Sequence, residues 1–523
     1  MIEDLQNSKT FVTTLVYGLH TASDRRPLWD SIISIANGCN SPWIVLGDFN
    51  EVMDTHEISG DNHCRLTGMD DLTECFNKAC LDDLRFTGIL FTWSNRRIGR
   101  QDFTERKLDR ALINSDWLDS YPNSNAFFKA PGISDHSPII VDMGGLNRKK
   151  GVPFKFYNHW VSMDNFDNVV NNSWTDDING TYQFQLFQNL KRLKANLKTW
   201  AKNHFGKEKQ IVTNARAALL ECQTKIALYP NDMTYRALEK DLLSQFLDAT
   251  HREEEVAKQK AKIHWLDVGD RNTKYFYNAI KGRRNRNRIV KLKKRDGTIT
   301  SNNDETKEET IRYFESMLGS SPPSTYSGLA SIASIVKKRI SQDQFDILSS
   351  IPTDDEIKAT LFSIHSNKAP GPDGFNAFFF KHCWNTVGPL VLKAIKEFFN
   401  TGEILKESNS TIITLIPKVP NPSAMTEFRP ISCCNTIYKC ISKLIANRLQ
   451  TVLPLLIGES QSAFIKGRNI SDNVLLAQDL LRDYHKRSGK PRMAAKVDLM
   501  KAYDTVNWGF LFDLLQVLHF PLL

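Results

Sequence analysis

WIVLGDFN, residues 43–50, drives four apolar side chains straight into a glycine, an acid and an amide. A short unbroken apolar run that stops at a turn signal reads as a buried strand. Strand alternation then aims Asp48 and Asn50 to the same side, just past a segment that holds them still. FVTTLVY, residues 11–17, is a second run of this kind. Together they predict an α/β or α+β domain over residues 1–143. Farther on, Ser134, Asp135 and His136 crowd a short loop before the apolar PIIV, so an acid adjoins an imidazole at another strand entrance. Asp109, in KLDRAL, is placed to orient that imidazole. Acid, amide and imidazole are the groups that cutting a phosphodiester needs: one to make water nucleophilic, one to hold the phosphoryl oxygens, one to meet the departing alkoxide. Either triplet alone, GDF or SDH, would mean only a strand end or a polar turn.

Composition bounds the rest. The 523 residues allow roughly three domains of ordinary size. With 41% hydrophobic and 24% charged residues the chain is globular. No apolar run approaches the ~18 residues of a membrane span, so no membrane partner is expected. The polar start MIEDLQNSKT lacks a secretory signal, and no localisation follows from it. Nine cysteines are scattered, and the cluster Cys433, Cys434 and Cys440 lacks paired CxxC spacing, so reduced thiols are expected rather than a zinc site. Net charge is +9, but Lys281–Arg295 concentrates nine Lys or Arg and no acid. Lys281, Arg283, Arg284, Arg286 and Arg288 therefore form a candidate phosphate-binding strip.

Along the chain, GGLNRKKGVP at 144–153 reads as a linker. Leu186, Leu190, Leu193, Leu197 and Trp200 recur at helical spacing, and Leu238, Leu242, Phe246 and Ala249 continue a second stripe after Pro230 and Asn231. A helical connector over 154–318 is expected, then a linker and helix over 319–354, then a mixed block over 355–523. In the connector, Trp265, Tyr275, Phe276 and Tyr277 precede the basic strip, a pairing suited to bases and phosphates.

With Thr92–Trp93 and Leu108–Arg110 added in order, the N-terminal motifs resemble the exonuclease/endonuclease/phosphatase superfamily, and most of all the endonuclease domain of plant LINE-type, non-LTR retrotransposon polyproteins. The resemblance implies a β-sandwich with flanking helices. It implies Asp48 at the nucleophilic water, Asn50 at the phosphate, Asp135 and His136 at the scissile group with Asp109 behind His136, and Tyr17 and Thr92 as phosphate-side contacts. Such domains also carry a magnesium-gripping glutamate on an earlier strand that this sequence does not show. The expectation is a partial domain with an uncovered sheet edge and weak or absent binding of Mg²⁺ or Mn²⁺.

NKAPGPDGF at 367–375, TLIPKVPNPSAMTEFRPIS at 414–432, QSAFIKGRN at 461–469 and AAKVDLMKAYDTVNW at 494–508 resemble, in series, the fingers and first palm motif of non-LTR reverse transcriptases. This implies Asp498 as a metal ligand at the end of a strand through AAKV, Tyr503 against the ribose, and Lys418 and Arg429 at the triphosphate. Asp504 reads as structural. A single metal ligand cannot hold two ions, so no polymerisation is expected. The whole reads as α+β multidomain: a partial endonuclease domain, a helical connector and a partial reverse transcriptase. The implied identity is a truncated retrotransposon polyprotein whose intact family nicks DNA and copies RNA, with DNA and RNA as partners and both half-sites silent in this chain. A non-catalytic nucleic-acid-binding remnant and a stand-alone phosphodiesterase or repair endonuclease are the alternatives. Oligomeric state is not legible.

Overall fold

In a computed structural model the described residues are all of 1–523 except 5–8, 61–66, 98–102, 145–152, 164, 205–207, 230–231, 262–272, 320–328, 420, 483, 485–492, 498–505 and 522–523. The chain divides into two compact units interleaved along the sequence. The first joins Met1–Val152, Lys207–Arg312 and Thr414–Ile431; the second joins Pro153–Gly206, Tyr313–Ile413 and Ser432–Leu523. The expected connector over 154–318 thus contributes to both.

Among the described residues, eleven strands lie between Ile2 and Asp142. β1 (Ile2–Asp4), β2 (Lys9–Tyr17), β3 (Trp43–Asp48), β4 (Ile58–Gly60) and β5 (Asp82–Asp83) are followed by β6 (Phe86–Gly88), β7 (Trp93–Ser94) and β8 (Thr104–Arg106). β9 (Asp109–Ile113), β10 (Asn125–Phe128) and β11 (Ile139–Asp142) complete them. The largest sheet has the order β1-β2-β3-β9-β5, and two smaller sheets have the orders β11-β10-β6 and β4-β8-β7. β3 runs parallel to β2 and antiparallel to β9, with Asp48 paired to Tyr17 on one side and to Asp109 on the other.

The unbroken apolar reading of β3 has a direct cause, since both its faces are covered. Trp43 and Val45 pack with Trp29 and Ile32 of the Ala22–Gly38 helix and Leu72 and Phe76 of the Met69–Ala79 helix. Ile44 packs on the other face with Ala111, Ile113, Trp117 and Phe128. Each fully buried large side chain contributes roughly 1.5–3 kcal/mol. At the edge, β1 pairs only with Lys9–Phe11, and Leu15 and Tyr17 of β2 remain 79% and 68% exposed.

β9 alternates between two tasks. Asp109 faces the sheet's open end, while Arg110 is fully buried, pairing with Glu57 and with Asp83 Oδ2 at 2.9 Å. Lys107 joins them, 3.1 Å from Asp83 and 3.5 Å from Glu57, with its ammonium over the Phe86 ring. Burial alone would raise both carboxyls. Arg110 and Lys107 outweigh it, and Glu57 and Asp83 are held below the usual carboxylate range. Two cations and two anions thus close a neutral buried network that fixes β9 against the loops before it.

The third segment of this unit is the end of a hairpin formed by β12 (Thr411–Pro417) and β13 (Phe428–Cys434). Its tip is gripped by Arg85, whose guanidinium donates to Asn421 Oδ1, to the Pro422 carbonyl at 3.0 Å and to the Arg288 carbonyl at 3.0 Å.

The second unit is mainly helical. The stripe Leu186, Leu190, Leu193, Leu197 and Trp200 lies on the Tyr182–His204 helix and is buried against Phe156, Phe166 and Val391. Phe379 and Leu444 belong to the same core. Expected in a connector, this helix instead supplies one wall of the unit's core. The second stripe lies in the first unit, on the Met233–Ala261 helix that packs along Glu208–Leu228, and it is less well covered, with Leu238 47% exposed. One local expectation fails: Met493–Val497 form no strand, and Val497 is 85% exposed. An extended segment becomes a strand only by pairing, and no described residue pairs with it.

Arg110→Ala leaves Glu57 and Asp83 with one cation between them. The expected cost is about 3–5 kcal/mol, read as a lower urea midpoint of the full chain. Because both carboxyls are depressed, the network's contribution is present above their unfolded pKa and is lost as pH falls through the folded values. A midpoint in Arg110→Ala within error of the parent at neutral pH would remove the network from the stability account.

Candidate functional site

The open end of β3 and β9 collects the polar residues. Gly47 has φ +137°, and a Cβ there would stand 2.0 Å from the Val16 carbonyl oxygen, so only glycine lets β2 and β3 close up beside Asp48. Asp48 Oδ1 accepts the Asn50 backbone N–H at 2.8 Å, which turns the chain sharply, and Asn50 takes the left-handed conformation that asparagine tolerates. The Asn50 amide donates to the Gly18 carbonyl at 3.3 Å and lies 3.1 Å from His20 Nδ1.

Opposite, His136 Nδ1 lies 2.9 Å from Asp109 Oδ2. The bond fixes the ring and directs Nε2 away from Asp109. The loop carrying His136 is held by the β7 segment: Ser94 N–H donates to the Asp135 carbonyl at 3.2 Å and Ser137 N–H to the Thr92 carbonyl at 2.7 Å. Trp93 Nε1 donates to Asp135 Oδ2 at 3.0 Å. Arg96 secures the preceding turn, donating to the carbonyls of Gly132, Ile133 and Ser134.

Burial raises the Asp48 carboxyl, and the Asp109 charge adds to this against the Asn50 N–H and His136. For His136, burial works downward, but the Asp109 hydrogen bond and the charges of Asp109, Asp48 and Asp135 raise it above the usual imidazole value. The Trp93 indole lowers Asp135. Asp48, Asp109 and His136 present ligand atoms within 4.8 Å of one another. Two carboxylates suit a magnesium or manganese ion that takes its other ligands from water and phosphate. Glu51, next to Asn50, is no further ligand: it is buried, paired with Arg25, and accepts the Val52 N–H at 3.1 Å.

Thr92 departs from its expected place at the phosphate. It is 1% exposed, and its Oγ1 accepts the N–H groups of Leu108 and Asp109 at 3.0 and 2.9 Å. Through these bonds it holds the start of β9 and so positions Asp109. Tyr17 stands exposed beside Asp48. Lys418 closes the hairpin, its Nζ donating to the Thr426 carbonyl at 2.9 Å, and Arg429 is exposed on β13. Asp498, Tyr503 and Asp504 lie outside the described residues, as does Trp265. In the basic strip, Lys281 pairs with Asp119 at 2.7 Å, Arg288 donates to the carbonyls of Pro122 and Ser124, and Lys294 pairs with Glu305. Arg283, Arg284 and Arg286 are exposed.

Residues 4–136 match the Endonuclease/Exonuclease/phosphatase family, and residues 416–523 match the Reverse transcriptase (RNA-dependent DNA polymerase) family. Over 98% of its length the chain is 25% identical to the transposon TX1 uncharacterized 149 kDa protein of Xenopus laevis, covering 40% of that protein. Over 32% of its length it is 23% identical to the retrovirus-related Pol polyprotein from the type-2 retrotransposable element R2DM of Drosophila melanogaster, and 25% identical to that from the type-1 element R2 of Nasonia vitripennis. It spans 15% and 16% of those two proteins.

The chain is homologous to retrotransposon polyproteins.

In its endonuclease-family domain, His20 and Arg96 escaped sequence reasoning. His20 is three residues past Tyr17, but its nearness to Asn50 arises from two loops meeting, which no spacing encodes. Arg96 carried a weak signal, as one of two arginines in a turn.

The His136–Asp109 pair is measurable without catalysis. By NMR titration of the full chain, His136 should titrate above the ordinary imidazole value. In Asp109→Asn it should fall, because the two largest upward influences are removed while burial remains. An unchanged His136 titration in Asp109→Asn would show that the bond does not form in solution.

Proposed function

We propose that this chain is the portion of a LINE-type retrotransposon polyprotein, of the sort the plant-element resemblance implies, that nicks a nucleic-acid strand at the Asp48–Asp109–His136 centre. The observation that carries the reading is the oriented His136–Asp109 pair within 4.8 Å of a carboxylate whose pKa is raised. In this reading Asp48 orients and deprotonates the attacking water. Asn50 donates to a phosphoryl oxygen. His136, kept protonated by Asp109, meets the negative charge that grows on the phosphoryl group, and Asp135 stands beside it with its carboxylate set by Trp93. A divalent cation, which the carboxylates of Asp48 and Asp109 would hold, neutralises phosphoryl charge when bound. With so few protein ligands, its affinity without nucleic acid is expected to be weak. RNA-directed DNA synthesis, with Asp498, Tyr503, Lys418 and Arg429 in their family roles, is assigned by the same proposal to the polyprotein as a whole.

Nicking of supercoiled plasmid by the full chain across a magnesium titration tests this. Activity should rise only at high ion concentration and fall by roughly 10²–10⁴-fold in Asp48→Ala and in His136→Ala. The pH profile should decline as His136 loses its proton, above the ordinary imidazole range. Cleavage that survives both substitutions removes the assigned centre. No cleavage at any ion concentration leaves the rival reading, a non-catalytic nucleic-acid-binding protein.

A further inference from the structure

The second unit carries a group of ammoniums in excess of its carboxylates that sequence reasoning passed over. Its Tyr182–His204 helix contains Lys191, Arg192, Lys194, Lys198 and Lys202 and no acid. Its Thr436–Leu456 helix contains Lys439, Lys443 and Arg448 and again no acid. Both helices send lysines to one loop, residues 363–373. Lys194 Nζ donates to the Pro372 carbonyl at 3.0 Å, Lys439 Nζ to the Ala369 carbonyl at 2.5 Å and Lys443 Nζ to the Ser363 carbonyl at 3.3 Å. Lys381 Nζ adds a fourth contact, to Ser366 Oγ at 3.4 Å. The loop itself contributes Lys368.

None of the four lysines that bond the loop has an ion-pair partner among the described residues. Arg448 is different, being held by Glu356 at 2.9 Å. Burial lowers the ammoniums of Lys194, Lys381 and Lys439, and their neighbours Lys198, Lys443 and Lys368 respectively push the same way. The one acid of the loop, Asp373, opposes this at Lys194 and Lys439, but burial pushes its own carboxyl up to about 6 and its Oδ2 is enclosed with no hydrogen-bond partner, so a single carboxylate stands against four ammoniums. Each lysine spends one donor on the loop and keeps two. Four ammoniums drawn together around one stretch of backbone with one carboxylate among them repel one another unless a further anion arrives.

We propose that Lys194, Lys381, Lys439 and Lys443, gathered around residues 363–373, form a binding site for the phosphodiester backbone of a nucleic-acid strand. The contacts are to phosphate, so the site is indifferent to base sequence and to the ribose 2′-hydroxyl. It is separate from the Lys281–Arg295 strip, where Lys281, Arg288 and Lys294 are already engaged by partners in the first unit. The inference rests on nucleic acid being this chain's partner, but on neither active centre.

The test is the salt dependence of binding of the full chain to a labelled single-stranded RNA and to the DNA of the same sequence, with metal chelated. The variant with all four lysines changed to Gln should flatten the slope of log affinity against log salt by about 3, since each single-strand phosphate contact contributes roughly 0.7. The four-fold Lys→Arg variant should keep the parent slope, with both variants retaining the parent circular dichroism. A Gln variant with the parent slope overturns the site. So does an Arg variant as impaired as the Gln variant, because charge would then not be the agent. A loss confined to RNA or to DNA overturns the backbone reading. If the parent binds neither strand, the nucleic-acid reading falls with it, whereas binding that the Gln variant keeps sinks this site alone.

Discussion

Arg110 and the two carboxylates around it set the terms for the first unit. A guanidinium with no exposure to water must be matched by charge, and Glu57 from the turn before β4 and Asp83 from β5 match it. Their convergence draws the 54–60 and 82–83 segments onto β9 and locks its register against β3. The next residue back along β9, Asp109, points the other way and orients His136. Structural anchoring and candidate chemistry are therefore one alternation apart on one strand. The motif LDR compresses three tasks: Leu108 fills a small core with Val52 and Ile58, Asp109 serves the site, and Arg110 serves the fold.

Much of this was legible because local pattern and tertiary role coincide. The run WIVL had to be covered on both faces, and it is. Asp48, Asn50, Asp135 and His136 sit at strand ends, where alternation and turn chemistry could be read, and Asp48, Asp109 and His136 come together. Thr92 shows the limit: the sequence reveals a hydroxyl near the motif but not the direction it faces. That direction is set by two backbone N–H groups from a strand more than a dozen residues away.

What covers the helices is hidden from the sequence for a related reason. Heptad-like spacing in Leu186–Trp200 establishes one apolar stripe, yet not what covers it. A stripe that meets a partner helix makes a connector, and one that meets Phe156, Phe379 and Leu444 makes a core. Charge patterning had the same ambiguity. A run of basic residues stands out in a sequence, but several in Lys281–Arg295 are spent on internal acids and carbonyls. The lysines around 363–373 stay invisible until folding gathers them from three helices.

Arg85 joins chain segments that are made far apart in time. Its bond to Asn421 spans 336 positions, so during synthesis at about 5–20 residues per second this side chain waits on the order of tens of seconds for its acceptor. Through that interval the Arg85 guanidinium has only the water around it in place of the hairpin's acceptors. A ribosome that stalls between the two segments leaves a nascent chain in which Arg85 lacks Asn421 and Pro422 as acceptors.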